Sequence, residues 1–251
     1  MLGEKWRQLI ETADFAFQPI VNIYTGKLYA VEALIRNYEG AGFNCIDSIF
    51  DQAFSEKVLY TIDIHLREKA IHKFSLLPFC KSIKLFYNLD NRITMMPDFK
   101  SGYTCELLST YSMEPSNLCF ELSEKHQVGV YAGVDKLVLN LYKQQGYKMA
   151  IDDFGVGFSS FFYLRELPVD AVKIDGSFIK NLADNSDDVI LVNALCSVAR
   201  GFGKKVTAEF VESEKILEII EQMDIDYAQG YYIGRPSPIE QFLAERNLPS
   251  K

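Results

Sequence analysis

The sequence has few of the residues that bind zinc or form disulfide bonds. It contains five cysteines and three histidines among 251 residues, and no two cysteines have the CxxC spacing. An odd number of widely spaced cysteines is not typical of a disulfide framework. We therefore expect reduced cysteines in the core of a cytoplasmic protein, or of the cytoplasmic part of a larger, membrane-tethered one. The cysteines are Cys45, Cys80, Cys105, Cys119 and Cys196.

Long apolar runs and concentrations of positive charge are also missing. No apolar run approaches the ~20 residues that a membrane-spanning helix needs, and the polar first residues do not resemble a secretory signal. The formal net charge is -8, and no stretch gathers enough Lys and Arg to follow a nucleic-acid backbone. The sequence therefore predicts no membrane contact from this domain and no general nucleic-acid binding. A small anionic ligand is compatible with this charge if metal ions or local cations offset the acidic background.

Short apolar runs, rich in β-branched and aromatic residues, alternate with amphipathic stretches along the chain. This alternation predicts parallel strands covered by helices, and 251 residues suit one (β/α) barrel. We expect a single domain over residues 1–251, with an open doubly wound sheet as the alternative. The predicted strands are Phe15–Val21, Leu28–Leu34, Ile83–Asn88, Leu118–Leu122, Lys148–Asp152, Ala171–Asp175, Lys205–Glu209 and Asp226–Gln229. The predicted helices are Ser55–Phe74, Val128–Tyr142, Val189–Ala199 and Ser213–Met223.

Most of the predicted strands end in a carboxylate, an amide or an ammonium group. In a parallel barrel the carboxyl ends of the strands share one face, so these groups would meet at one site. A single polar residue at a strand end is most often a loop residue or a helix cap, but seven such ends favour a shared site. The residues are Asn88, Glu121, Asp152, Asp153, Lys173, Asp175, Glu209 and Gln229, and Glu32 near the end of the second run can join them.

The chemistry of these groups indicates divalent metal ions. Several carboxylates in one pocket repel each other unless a cation neutralises them. Oxygen ligands without a histidine or cysteine cluster suit Mg²⁺, Mn²⁺ or Ca²⁺ better than structural zinc. The adjacent Asp152 and Asp153 are placed to bridge two ions, which favours phosphoester hydrolysis. Lys173 adds a group for proton transfer or charge stabilisation.

Several motifs, in order along the chain, resemble the EAL domain family. Glu32-Ala33-Leu34-Ile35-Arg36 looks like the signature that gives the family its name, and Phe17-Gln18-Pro19-Ile20-Val21 resembles its opening strand. The resemblance runs from about residue 15 to about residue 240. The later motifs are Asn88, Glu121-Leu122-Ser123-Glu124, Asp152-Asp153-Phe154-Gly155, Val172-Lys173-Ile174-Asp175, Ala208-Glu209, Val211-Glu212, Gln229-Gly230-Tyr231 and Arg235-Pro236.

The resemblance implies a fold, a reaction and a cofactor. The fold is a modified TIM (β/α)8 barrel whose first strand is antiparallel to the rest. The reaction is hydrolysis of cyclic di-GMP to linear pGpG, in which two metal ions, Mg²⁺ or Mn²⁺, activate water in each active site, and Ca²⁺ inhibits. A homodimer is also implied. A sensory or cyclase domain in a longer native chain is left open by the sequence.

The resemblance also implies roles for individual side chains. One metal ion is bound by Glu32, Asn88, Glu121 and Asp152. Asp152 and Asp153 reach the second ion, and Glu209 completes the shell of metal and water. Lys173 orients or deprotonates the attacking water, and Gln229 holds the water shell in place. The implied catalytic residues are therefore Lys173, Glu209 and Glu32.

Substrate contacts are implied in several motifs. Gln18, Leu34 and Arg36 meet the dinucleotide, and the Arg36 guanidinium donates to a phosphate oxygen. Glu212 and Tyr231 contact guanine, beside Gln229. Glu124 matches the acidic residue that anchors the loop after Asp153, a loop that carries dimer contacts in this family and couples assembly to activity. A helix-entry role for Glu124 is equally open.

Three residues depart from the family pattern. Val156 stands where threonine is usual, Phe210 where glycine is usual, and Asp90 where a small hydroxyl residue is common. The metal-ligand positions and the lysine are intact, which favours an active phosphodiesterase. Two alternatives stay open: a catalytically quiet module that binds cyclic di-GMP or a partner protein, and a metal phosphohydrolase that acts on another ester.

Overall fold

All eight predicted strands are present, and they close into one barrel in sequence order. The computed structural model of the chain describes residues 2–123, 139–156 and 160–245. Each observed strand overlaps the run that predicted it, so the barrel prediction is confirmed. The strands are β1 Asp14–Asn22, β2 Leu28–Arg36, β3 Lys84–Leu89, β4 Leu118–Leu122, β5 Lys148–Phe154, β6 Ala171–Ile174, β7 Lys205–Ala208 and β8 Tyr227–Gln229.

The first strand runs against the others, as the resemblance implied. β1 pairs antiparallel with both of its neighbours, β2 and β8, whereas the pairs from β2 to β8 are parallel. The carboxyl ends of β2 to β8 therefore share one face of the barrel. Gln18 of β1 pairs with Glu32 of β2, so the antiparallel strand also brings a side chain to the level of this face.

The helices lie between strands along most of the described chain. They are α1 Glu4–Thr12, α2 Ile46–Ser55, α3 Leu59–Ser75, α4 Tyr103–Thr110, α5 Ser160–Glu166, α6 Gly176–Ile179, α7 Ser186–Gly201, α8 Glu214–Glu221 and α9 Ile239–Glu245. Short 3-10 helices cover Glu39–Ala41, Cys80–Ser82, Asn91–Met95 and Pro115–Asn117. Residues 139–144 are helical and agree with the end of the predicted helix Val128–Tyr142, whose earlier residues lie outside the described ranges.

The predicted start of the helix Ser55–Phe74 was wrong. α2 ends at Ser55, and α3 begins only at Leu59. Between them Lys57 has a φ of 59°, a left-handed conformation that a continuous right-handed helix does not contain. The helical spacing of apolar residues continues across this turn, so the sequence pattern did not show the break between α2 and α3.

The barrel interior changes from apolar to polar along its axis. Successive residues of a strand point to opposite faces, so residues two apart share a face. A buried apolar cluster comprises Ile20, Ala30, Phe86, Cys119, Ala150 and Ala171, with Tyr29 and Tyr227 packed against it. Five of these residues lie two positions before Glu32, Asn88, Glu121, Asp152 and Lys173. The polar layer therefore sits on an apolar floor inside the barrel.

The five cysteines are free in the structure, but they are not all in the core. None of the five forms a disulfide, and three are buried: Cys80, Cys119 and Cys196. Cys45 is exposed, so the prediction of a core position was wrong there. Among the described helices, none is both long and apolar enough to span a membrane.

Candidate active site

A buried lysine lies at the centre of an acidic cluster at the carboxyl ends of the strands. Lys173 on β6 is only 1% exposed. Its Nζ lies 2.6 Å from Glu121 Oε1, 2.8 Å from Glu209 Oε1, 3.1 Å from Asp152 Oδ1 and 3.3 Å from Glu32 Oε2. The structure thus joins residues from five strand ends around one ammonium group.

Amide side chains fix the orientation of Glu32 within this cluster. Asn88 Nδ2 donates to Glu32 Oε1 at 2.9 Å, and Gln229 Nε2 donates to Glu32 Oε2 at 2.6 Å. Gln229 Nε2 also lies 3.2 Å from Gln18 Oε1, and Gln18 Nε2 donates to the carbonyl of Gly234. Gln18 and Gln229, expected to meet substrate and water, therefore also position a carboxylate from β2.

The two consecutive aspartates of β5 both reach the site because the strand is irregular there. The pairing of β5 with β6 shifts between Ile151 and Phe154, and Asp153 has a φ of 52°. Such an irregularity interrupts the alternation of side chains between the two faces of a sheet. Carboxylate oxygens of Asp152, Asp153 and Glu209 lie within 4.8 Å of one another as a result.

Opposite charges hold two members of the cluster in their ionised forms. Burial lowers the pKa of Lys173, but the charges of Asp152, Glu121, Glu209 and Glu32 outweigh it and raise that pKa well above its usual range. Burial raises the pKa of Glu32, yet the charge of Lys173 and the hydrogen bonds from Gln229 and Asn88 bring it below the ordinary value. Lys173 is therefore an ammonium and Glu32 a carboxylate.

The other two glutamates favour the protonated form when no second cation is near. Burial and then the charge of Glu32 raise the pKa of Glu121 well above its ordinary value, against the attraction of Lys173. Burial also raises the pKa of Glu209 to about 8, with Lys173 lowering it and Asp152 raising it. One ammonium is thus too little positive charge for four neighbouring carboxylates.

The donor set fits divalent metal ions. Glu121 Oε2 is buried and has no hydrogen-bond partner, which is costly unless the atom coordinates something. The groups around it are carboxylate and amide oxygens, the ligands that Mg²⁺ and Mn²⁺ prefer. The surplus of negative charge in the cluster also favours the binding of cations. Among the described residues, Asp152, Asp153 and Glu209 form the cluster whose spacing suits a shared ion.

A cavity of about 500 Å³ opens beside the cluster. Five predicted site residues line it: Leu34, Asn88, Glu121, Asp152 and Asp153. Lining residues that the sequence did not single out as site residues include Tyr38, Asp47, Phe50, Asp90, Asn91 and Ser123. The last three follow the ends of β3 and β4, so extending the strand-end argument by a few residues finds them. Asp47 and Phe50 lie on α2, where no sequence motif indicated a functional role.

Arg36, Glu212 and Tyr231 are not among the described residues that line this cavity. Arg36 Nη1 donates to the carbonyl of Ile35 at 2.8 Å, and Glu212 is exposed on the loop after β7. The Tyr231 ring, also exposed, has the Arg235 guanidinium carbon 4.1 Å from its centroid. Contact of these side chains with a substrate stays a prediction. Glu124 lies outside the described residues.

One strand-end residue, Asp175, has a structural role as a helix cap. Asp175 Oδ1 accepts a hydrogen bond from the amide of Ser177 at 2.8 Å and caps α6. That Asp175 also reaches the shared site stays a prediction. Capping is the usual role of an aspartate at this position in a chain.

The fold and the site together define a (β/α) barrel with an acidic, metal-binding type of site at the carboxyl ends of its strands. Sequence comparison gives the family: the model of the EAL domain matches residues 4–236. The chain belongs to the EAL domain family.

Individual relatives agree with this assignment. The cyclic di-GMP phosphodiesterase PdeB of Shewanella oneidensis is 35% identical over 237 residues, which cover 91% of this chain and 27% of that protein. The solved PaMucR phosphodiesterase in complex with cyclic di-GMP has a TM-score of 0.79 at 29% identity, covering 92% of this chain and 100% of that one. BlrP1 of Klebsiella pneumoniae, solved with manganese and cyclic di-GMP, has a TM-score of 0.78 at 25% identity, covering 90% and 56%. The chain thus spans about a quarter of the length of PdeB.

Proposed function

We propose that this chain is a metal-dependent phosphodiesterase that hydrolyses cyclic di-GMP to linear pGpG. The observation that carries the proposal is the acidic cluster around Lys173, which includes the buried, unpartnered Glu121 Oε2. The names of PdeB and PaMucR support the reaction and the substrate. We propose the same activity and the same ligand, cyclic di-GMP, for the whole native protein, in which a sensory or cyclase domain can accompany this one.

Two divalent ions fit the proposal, and the BlrP1 complex with manganese supports Mn²⁺ as one of them. Glu32, Asn88, Glu121 and Asp152 would hold the first ion. Asp152, Asp153 and Glu209 would hold the second. When bound, such ions lower the pKa of water and neutralise charge at the phosphate. Ca²⁺, which is larger and prefers more ligands, is expected to bind here without supporting turnover.

The chain's own residues supply orientation and charge. Lys173 is buried and cationic, so we assign it the role of orienting the attacking water and stabilising negative charge as the bond to the leaving oxygen breaks. This choice favours orientation over deprotonation, the other role that the sequence left open. Gln229 and Asn88 keep Glu32 in a fixed orientation, which limits the reorganisation needed during reaction.

The cavity beside the cluster supports a ligand of nucleotide size. Its volume of about 500 Å³ lies within the usual range for small-molecule sites. Its lining combines apolar or aromatic side chains, from Leu34, Tyr38 and Phe50, with polar ones from Asp47 and Asn91. Such a lining suits a flat base with donor groups on one edge, as in guanine.

A chromatographic assay with three arms tests the proposal. Purified protein is incubated with cyclic di-GMP in Mg²⁺, in Mn²⁺ and in chelator, beside a Glu32→Ala variant. We expect pGpG only with metal ion and only from the unmodified chain. Binding of cyclic di-GMP by calorimetry without turnover would instead identify a receptor. Hydrolysis of aryl phosphodiesters alone would identify a phosphohydrolase with another substrate.

A homodimer is a further proposal for this chain. Exposed apolar side chains lie on the loop after β5 and on nearby helices, at Val156, Phe161, Ile190 and Leu191. Gly155, just after β5, packs close to α7, because a Cβ added there would lie 2.9 Å from Leu195 Cδ1. Sedimentation velocity would show a dimer of the unmodified chain and a monomer after Ile190→Glu.

A further inference from the structure

Phe210 has a costly backbone conformation directly beside the acidic cluster. It follows Glu209, whose Oε1 lies 2.8 Å from Lys173 Nζ, and its φ is 55°. A bulky residue in the left-handed region is strained, and such strain collects at functional sites. Glycine adopts this conformation without penalty. Because the backbone conformation favours glycine, a property of the phenylalanine side chain must explain why phenylalanine occupies this position.

The side chain gains little from burial. Phe210 is 54% exposed, so the hydrophobic effect offsets only part of the strain. One face of the ring lies on the bare α-carbon of Gly176, because a Cβ added there would be 2.1 Å from Phe210 Cδ2. The ring is thus supported from beneath by α6 while about half of its surface is open to solvent.

A second exposed aromatic ring lies on the neighbouring loop. Tyr231 is 49% exposed and follows the end of β8. The two loops are joined through their backbones, since the Val211 amide donates to the Gln229 carbonyl at 3.0 Å and the Tyr232 amide donates to the Val211 carbonyl at 3.0 Å. The carboxyl ends of β7 and β8 therefore carry open aromatic rings, Phe210 and Tyr231 among them, next to the proposed metal ligands.

We infer that Phe210 is a base-stacking residue that receives one guanine of the dinucleotide at the rim of the site. Every nucleobase has a π-face that stacks on aromatic side chains. Glu212, exposed two residues further on, offers a carboxylate to the N–H groups on the edge of guanine. The inference rests on the proposed function and adds an affinity and specificity role for a residue outside the metal cluster.

Stacking and simple packing predict different effects of substitution at Phe210. If the ring stacks on a base, Phe210→Leu raises KM for cyclic di-GMP about tenfold and leaves kcat within about twofold. Phe210→Gly raises KM as much but does not lower the melting temperature, because it relieves the left-handed strain. If the ring only covers Gly176, Phe210→Leu keeps KM and Phe210→Gly lowers the melting temperature.

A matched control comes from the other end of the barrel. Phe202 is 48% exposed and lies just before β7, at the amino end of that strand. Phe202→Leu removes an aromatic ring of similar exposure and is expected to leave KM unchanged. A rise in KM in this variant would mean that exposed aromatic rings affect the assay without contacting the substrate.

Tryptophan fluorescence reports the stack directly. The only native tryptophan, Trp6, is buried on α1 and gives a constant background. Cyclic di-GMP is titrated in Ca²⁺ into Phe210→Trp and, as a control for light absorption by guanine, into Phe202→Trp. We expect quenching in the first variant only, saturating with the calorimetric binding curve of the unmodified chain.

The outcomes separate this inference from the proposed function. Quenching of Phe210→Trp together with the tenfold rise in KM supports stacking. Binding and turnover by the unmodified chain, without quenching or without a change in KM after Phe210→Leu, overturns the stacking role and leaves the phosphodiesterase standing. Neither binding nor turnover by the unmodified chain overturns both.

Discussion

Lys173 shows how one residue sets the electrostatics of the site. Its Nζ lies within 3.3 Å of four carboxyl groups, and its charge lowers the pKa of Glu32. Because the group is buried, removing it leaves those charges without a counterion in a poorly solvated place. We therefore expect Lys173 to affect both stability and turnover, and the two effects can be measured apart.

Lys173→Ala should destabilise the metal-free protein by about 3–5 kcal/mol, as expected when one partner of a buried ion pair is removed. Added Mn²⁺ should restore more stability to this variant than to the unmodified chain, since the ions supply the lost positive charge. The kcat should fall about 100-fold or more, with binding of cyclic di-GMP retained. Urea unfolding and steady-state kinetics measure these quantities.

Lys205→Ala is the control for Lys173→Ala. Lys205 is also on a barrel strand, as the first residue of β7, but it is exposed, and its Nζ lies 2.8 Å from Asp226 Oδ1. Its removal should therefore lower the unfolding free energy by only about 0–1 kcal/mol. Equal losses of stability in the two variants, or an unchanged kcat after Lys173→Ala, would contradict the assigned role.

Gly176 and Phe210 should be coupled, because they occupy the same space. A Cβ at Gly176 would lie 2.1 Å from the Phe210 ring, so Gly176→Ala alone should lower the melting temperature. In the Phe210→Gly background the space is open and the same substitution should be nearly neutral. A double-mutant cycle by thermal unfolding measures the coupling; additive effects would show that the crowding lies elsewhere.

The individual elements differ in how far the sequence predicted them. Strands were predicted well because short apolar runs end abruptly at polar groups, as at Glu121 and Gln229. α1, α2, α4, α5, α6 and α9 were not predicted, because each has ten residues or fewer and shows too little of a helical period. The capping role of Asp175 was also missed, because a cap and a site residue have the same position in the sequence.

α3 is joined to the barrel by a buried polar network. Arg67 and Asp63 form a buried ion pair on this helix, and Arg67 Nη1 donates to Thr104 Oγ1 at 2.8 Å. Tyr87 Oη lies 3.2 Å from Asp63 Oδ1. Since Tyr87 precedes Asn88 on β3, the network fixes the strand that carries a proposed metal ligand.

Arg67→Met should therefore cost about 3–5 kcal/mol of unfolding free energy, because it leaves Asp63 buried and unpaired. The double variant Asp63→Leu/Arg67→Met removes both charges and should be more stable than the single variant. Urea unfolding distinguishes the two. A single variant as stable as the unmodified chain would mean that the pair is solvated in solution.

At the scale of the whole molecule, the site depends on the polarity gradient within the barrel. The apolar floor keeps the carboxylates poorly solvated, which raises the pKa values of Glu121 and Glu209. Positional reasoning predicted this convergence, because parallel strands bring their ends together. It did not predict the cavity wall from α2 or the irregularity at Asp153, since neither follows from strand spacing.

Metal stabilisation should increase with pH. The pKa of Glu209 rises on folding from 4.5 to about 8, so its contribution to stability is complete below about pH 4.5 and is lost as pH rises through about 8. Glu121 shifts in the same direction. A bound divalent ion favours the ionised forms and reverses this loss.

The melting-temperature gain from Mg²⁺ should therefore be larger at about pH 8.5 than at about pH 6. Glu209→Gln, which cannot ionise, should weaken the pH dependence. Differential scanning fluorimetry measures both. A gain that is the same at the two pH values would argue that the ion does not displace protons from these glutamates.

The central claim is that the acidic cluster binds the ions that hydrolysis of cyclic di-GMP requires. The most direct measurement is the rate of pGpG formation by Glu121→Gln, in Mn²⁺ and in chelator, beside the unmodified chain and Glu221→Gln, a control with an exposed glutamate on α8. We expect product from the unmodified chain and from Glu221→Gln in Mn²⁺ only, with Glu121→Gln slower by about 100-fold or more. Product formed in chelator, or full activity of Glu121→Gln, would contradict it.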